Sequence, residues 1–169
     1  MDEQPNLREF LNEVSSFSEE DAAPAPVRGK AAAVGAIGKV VEIAGSGSQI
    51  RMDAAALIAL QSNPDPSVAM SGQVGSQVKM VVGNAWLIAN VRTLRGADGG
   101  ELVAHVDFLG EGSKDSAGTL SNFRRGVTRY PIPGADVMPV TTDDLRAIFA
   151  YLKSIPAIKN PVPAPSVPE

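Results

Sequence analysis

The chain of 169 residues contains no cysteine and a single histidine, His105. Without thiols it can hold no disulfide framework, no thiolate metal site, no cysteine nucleophile and no covalently attached c-type haem. One imidazole excludes a multi-histidine metal site within one chain and leaves a Ser-His-Asp triad only that ring. Aromatics make up 5% of the residues. Long hydrophobic runs are also missing: no stretch approaches the 18 apolar residues of a membrane-spanning helix. The acidic start lacks the apolar core of a signal peptide, so the expectation is a cytoplasmic protein with no membrane contact.

What is present points to short strands and tight turns. Sixteen Gly and 13 Pro fall in small punctuating groups, and 44% of the chain is hydrophobic, enough for a core. The net charge of −4 is unevenly spread. Residues 1–21 hold seven acids and one base, whereas the remainder holds 14 bases and 12 acids. A near-neutral body carries no broad nucleic-acid signature.

The periodicity divides the chain into five parts. Residues 1–20 place Leu7, Phe10, Leu11, Val14 and Phe17 at helical spacing, an acidic amphipathic helix that needs a surface to lie on. Residues 21–34 are small and Pro-broken, a linker. From 35 to 144 the period is two. Residues 37–43 and 49–52 read as a hairpin, and Asp53 caps a short helix stopped at Asn63-Pro64. Residues 73–82 and 85–95 follow around Gly83-Asn84, and 101–111 puts Leu102, Ala104, Val106 and Phe108 on one face. A polar loop over 112–122 then leads to the segment 123–141. Residues 145–156 form a helix introduced by Thr141-Thr142-Asp143-Asp144, with Leu145, Ile148, Phe149 and Leu152 as its apolar positions. Residues 157–169 are a Pro-rich tail. The fold class expected is mainly β: a small antiparallel barrel with an amphipathic helix before it and a helix after it.

Catalytic motifs are hard to write. Gly35–Lys39 has a Gly-Lys pair, but Val40 follows where a phosphate loop needs Ser or Thr, and a strand continues where a helix should start. Gly45-Ser46-Gly47-Ser48 joins two strands and reads as a turn. Asp143-Asp144 complements a helix N-terminus. His105 and Asp107 share one strand face as a solvent-facing pair, with no nucleophile beside them. No catalytic residue, cofactor or metal ligand is assigned, and the chain is expected neither to hydrolyse ATP nor to bind haem.

The densest feature is the run from Phe123 to Gly134. Arg124, Arg125 and Arg129 can each pair with a carboxylate or a phosphate, within the chain, across an interface or on nucleic acid. Gly126, Gly134, Pro131 and Pro133 indicate a tightly shaped backbone.

In order along the chain stand Val74-Gly75-Ser76, Leu109-Gly110-Glu111, and Arg125-Gly126-Val127 with Tyr130-Pro131, Pro133 and Gly134, followed by Thr141 and Asp144-Leu145. Over roughly 35–149 this order resembles the HAS-barrel, the N-terminal β-barrel of HerA-type hexameric ATPases, DNA translocases related to the FtsK class. The resemblance implies backbone-shaping roles for Gly75, Gly110, Gly126, Tyr130, Pro131, Pro133 and Gly134. It implies a noncatalytic assembly role in a homo-oligomer, docking of an ATPase core and of a NurA-type nuclease, and indirect or weak contact with DNA. In that family the chain continues into a RecA-like core with Walker motifs, the seat of ATP-dependent translocation. Here it reads AIFAYLKSIPAIKNPVPAPSVPE, which resembles the C-terminal helix and tail of a c-type cytochrome without its haem motif. The expectation is a truncated or fused form. The alternative is a stand-alone nucleic-acid-binding barrel using the three arginines, against which stands the scarcity of aromatic stacking platforms.

Overall fold

The computed structural model describes residues 34–157. The expected helix over 1–20, most of the linker over 21–34, and the tail beyond Ala157 lie outside the described residues. Seven strands and three α-helices follow one another in the described residues as β1 (Gly38–Ala44), β2 (Gly47–Asp53), α1 (Ala54–Leu60), α2 (Pro66–Ala69), β3 (Gln77–Val82), β4 (Ala85–Gly96), β5 (Glu101–Lys114), β6 (Leu120–Arg125), β7 (Asp136–Pro139) and α3 (Thr142–Ser154).

The turns are built by residues that tolerate positive φ. Gly45 (φ 59°) joins β1 to β2 and Gly83 (φ 61°) joins β3 to β4, each in a two-residue connection. Asp53 accepts from the backbone N–H groups of Ala55 and Ala56 and so starts α1.

The strands run in the order β2-β1-β7-β3-β4-β5, and β5 returns to pair with β2, closing a six-stranded antiparallel barrel. The protein is therefore mainly β, a small closed barrel with a helix on its C-terminal side. Closure leaves no free sheet edge within the barrel. β5 belongs to two structures. Its first half, Glu101–Asp107, pairs with β2, while Gly110–Lys114 pairs with β6, which stands outside the barrel wall. A bulge at Leu109 separates the halves.

Two apolar clusters result. The barrel interior holds Val40, Ile50, Met52, Val78, Met80, Leu87, Ala89, Val91, Ala104 and Val106, all buried. Each large side chain there contributes about 1.5–3 kcal/mol by leaving water. The second cluster, Trp86, Ile88, Leu120, Phe123 and Val140, lies under Leu145, Ile148 and Tyr151 of α3. β4 supplies both. Leu87, Ala89 and Val91 point inward, whereas Trp86 and Ile88 point to the helix, so neither face meets water along this stretch.

A buried ion pair fastens α3 to the wall. Lys79 of β3 lies on the face opposite Val78 and Met80, and its Nζ donates to Asp144 at 2.7 Å. Asp144 also accepts from the Leu120 N–H at 2.7 Å and from the Thr141 hydroxyl and N–H, and the last of these, with the Asp144 N–H donating to the Thr141 hydroxyl oxygen, makes a capping box. The Lys79 ammonium rests 4.6 Å from the Trp86 ring centroid. Asp144 thus does more than complement a helix end; it joins β3, the start of β6 and α3.

Two expectations change in detail. The polar loop expected over 112–122 shrinks to residues 115–119, because Gly112–Lys114 and Leu120–Asn122 extend β5 and β6. Asp115 closes the shortened turn by accepting from Ala117 and Thr119. The strand expected from residue 73 begins at Gln77, because Gln73–Ser76 fold into a turn with Gly75 at φ 89°.

Candidate interaction surface on the loop from Gly126 to Gly134

β6 ends at Arg125, and the chain crosses to β7 through residues 126–135. Two prolines and a missing ladder keep this connection out of the sheet. Its shape is set from β5. Glu111 is 6% exposed. One of its oxygens accepts from the Arg124 guanidinium at 2.5 Å and from the Thr128 hydroxyl at 2.7 Å; the other accepts from the Thr128 N–H at 3.0 Å. The Arg124 hydrogen bond first, and the Thr128 N–H second, hold this carboxyl from its ordinary 4.5 down to about 2. The loop is pinned by one buried carboxylate.

The glycines do different work. Gly110 faces β6 so closely that a Cβ there would lie 2.2 Å from the Arg124 carbonyl oxygen and 2.6 Å from the Phe123 ring. Gly126 and Gly134 both sit at φ 90° with open space around them, so their need is conformational. Gly126 donates to the Leu109 carbonyl and Gly134 to the Val40 carbonyl, tying each end of the loop to the barrel.

Between these ties the side chains divide. Pro131 is buried, whereas Tyr130 is 52% and Ile132 74% exposed. One face of the Tyr130 ring packs on Phe108, centroids 5.8 Å apart. Tyr130, Ile132 and Pro133 form with Val81 and Val82 an open apolar groove of about 540 Å³. Across the Gly83-Asn84 turn lies a polar cleft of about 290 Å³, lined by Asn84, Glu111, Asn122, Arg124 and Arg129.

The three arginines are thus separated in role. Arg124 is held by Glu111. Arg125 and Arg129 are exposed and form no ion pair with any described residue. His105 and Asp107 lie on another part of the wall. The His105 Nε2 lies 3.3 Å from the Arg95 guanidinium, which can only donate, and Asp107 lies 3.6 Å from Arg92.

Thr128 and Ile132 carry this site without having been singled out by residue pattern, while Glu111 stood in a motif and Phe108 on an apolar face without any role at this loop being read for them. Ile132 had one usable signal: an isolated large apolar residue between two prolines, where neither strand nor helix can bury it. Among the described residues no group of three His, Asp or Glu side chains is placed to hold a metal ion, and no helix is long and apolar enough to cross a membrane. No protein-family model and no curated protein sequence matches the chain significantly.

Proposed function

We propose that this chain is a noncatalytic assembly and partner-docking barrel of a HerA-like DNA-translocating ATPase system, acting in DNA end processing or repair. One observation carries the reading: Tyr130 and Ile132 stand exposed on a loop that buried Glu111 and two glycine ties hold rigid. An apolar surface fixed in place without being covered is what a docking site requires, because little ordering entropy remains to be lost on binding. The placement of the motif glycines supports the same reading. Gly75, Gly126 and Gly134 occupy positive φ, and Gly110 occupies a contact that admits no side chain. The partners are further copies of this chain, an ATPase core and a NurA-type nuclease, and DNA contact is indirect or weak.

The competing reading, a stand-alone nucleic-acid-binding barrel, is left with Arg125 and Arg129, since Glu111 holds Arg124. Sedimentation equilibrium beside a fluorescence titration with a short DNA duplex at two salt concentrations separates the two. Arg125→Ala is expected to weaken assembly at least about tenfold, as for an arginine paired across an interface, and Arg125→Glu more. DNA affinity is expected to change little. Unchanged assembly together with a lost, salt-sensitive DNA affinity would overturn the docking reading in favour of nucleic-acid binding.

A further inference from the structure

We propose that the polar cleft beside the Gly83-Asn84 turn binds a single phosphoryl group, carried by inorganic phosphate or by a small phosphate monoester. The cleft is separate from the apolar groove, and its reading does not rest on docking there.

The cleft, about 290 Å³, draws its polar lining from four segments. Asn84 comes from the turn between β3 and β4, Ser113 from β5, Asn122 and Arg124 from β6, and Arg129 from the loop to β7. Asn122 owes its place to a bulge. Glu111 pairs with Arg124 and Ser113 with Ser121, so Gly112 alone faces both Asn122 and Phe123. Asn122 absorbs the extra residue at φ 50°, and it is the only non-glycine in the left-handed region among the described residues. Glycine fits such a backbone with least strain, and asparagine tolerates it better than most side chains. Asparagine also brings an amide to the cleft, which glycine would not.

Arg124 is prepared by a buried acid. Glu111 holds its Nη2, and its Nε and Nη1 make no hydrogen bond with any described residue. A guanidinium fixed along one side presents the other with little entropy left to lose. Both Glu111 oxygens already accept, from Arg124 and from Thr128, so that charge is answered within the protein. Arg129 is answered by no described acid. The side chains of Asn84, Ser113 and Asn122 are likewise exposed and hydrogen-bond to no described residue.

Shape and charge select the ligand. Donors standing on four segments surround a tetrahedral group, whereas a carboxylate offers two oxygens in one plane and would leave part of the set unused. A phosphate monoester carries about −1.5 to −2 near pH 7, which suits Arg129 together with the free edge of Arg124. The volume lies at the lower end for ligand pockets, and no aromatic ring lines it, so a nucleic-acid strand finds no platform for its bases.

The test follows the amide signals of the full-length chain as inorganic phosphate, glycerol phosphate or sodium acetate is added at constant ionic strength. Both phosphates are expected to saturate one site with Kd below about 1 mM. They should move Asn84, Ser113, Asn122 and Arg129 and leave Arg92 and His105, on the other part of the wall, in place. Acetate should move them little. Tighter binding of glycerol phosphate assigns the monoester, and tighter binding of inorganic phosphate the free ion. Arg129→Gln should weaken binding about tenfold or more, as for loss of a charged donor. Asn122→Gly keeps the bulge and removes the amide, and should weaken binding about threefold while the spectrum stays dispersed. Arg92→Gln should leave the affinity unchanged. Acetate binding as strong as phosphate, a response that does not saturate, shifts centred on Arg92 and Arg95, or unchanged affinity in Arg129→Gln overturns the proposal. So does a single-stranded oligonucleotide without a terminal phosphate that binds these residues more tightly than glycerol phosphate, which would make the cleft a contact for nucleic-acid backbone.

Discussion

At the residue scale the informative position is Glu111, a carboxylate that organises a loop without lying in it. Its folded-state value, about 2, is below its ordinary 4.5, so its stabilisation is complete above about pH 4.5 and is lost as the pH falls towards 2. A displacement of that size corresponds to about 3 kcal/mol, reduced to about 2 kcal/mol because the Arg124 side chain is 60% exposed and screened by water. Urea denaturation as a function of pH should show wild type losing this increment between pH 4.5 and 2, and Glu111→Gln should lack that part of the slope. The glycines give a second contrast. Gly110→Ala forces a methyl group into the β6 backbone and should cost more than about 3 kcal/mol, a clash that a packed strand pair cannot relax. Gly126→Ala meets open space and should cost only the conformational term, about 1–2 kcal/mol. Equal costs would contradict the distinction between close approach and backbone angle.

At the scale of elements, α3 stays on the barrel through Asp144. Asp144→Ala removes a cap and leaves Lys79 uncompensated in a site where its side chain is 7% exposed, and should cost about 3–5 kcal/mol. Thr141→Ala removes only part of the cap and should cost about 1 kcal/mol. A milder Asp144→Ala would mean that Lys79 escapes to water. Much of the element map was legible in the residues. Alternation of Leu102, Ala104 and Val106 marked β5, Gly83-Asn84 marked a hairpin, and Asp53 marked the start of α1, because period and turn chemistry are local. The tertiary roles were not. Asp144 read as an ordinary helix-capping acid, since nothing nearby in sequence announces a lysine 65 residues away. Arg124, Arg125 and Arg129 looked equivalent, and only the fold brings Glu111 under one of them. β6 was hidden in a polar loop because Ser121 and Asn122 carry no strand-like pattern, and Asn122 sits at φ 50°.

For the whole molecule, closure joins residues 47–53 to 101–107, so the barrel is completed by a pairing distant in sequence. Such pairings carry a large loop-closure cost and form late. Ile50→Val, worth about 1 kcal/mol, should therefore act on the unfolding limb of the chevron, whereas Leu87→Ala in the β3–β4 hairpin should also slow folding. A folding rate reduced by Ile50→Val would reverse that order of events. Most strands have a further safeguard, since sliding by one residue turns their apolar side outward and water rejects the error. β4 does not. With Trp86 and Ile88 on one side and Leu87 and Ala89 on the other, a slipped β4 would merely exchange one greasy neighbour for another. Solvent cannot proofread this strand. Its alignment must be written in volume, with an indole that fits beneath α3 and not inside the barrel, and in the irregular steps opposite Leu109 and at Arg92 that match β5 in one setting only.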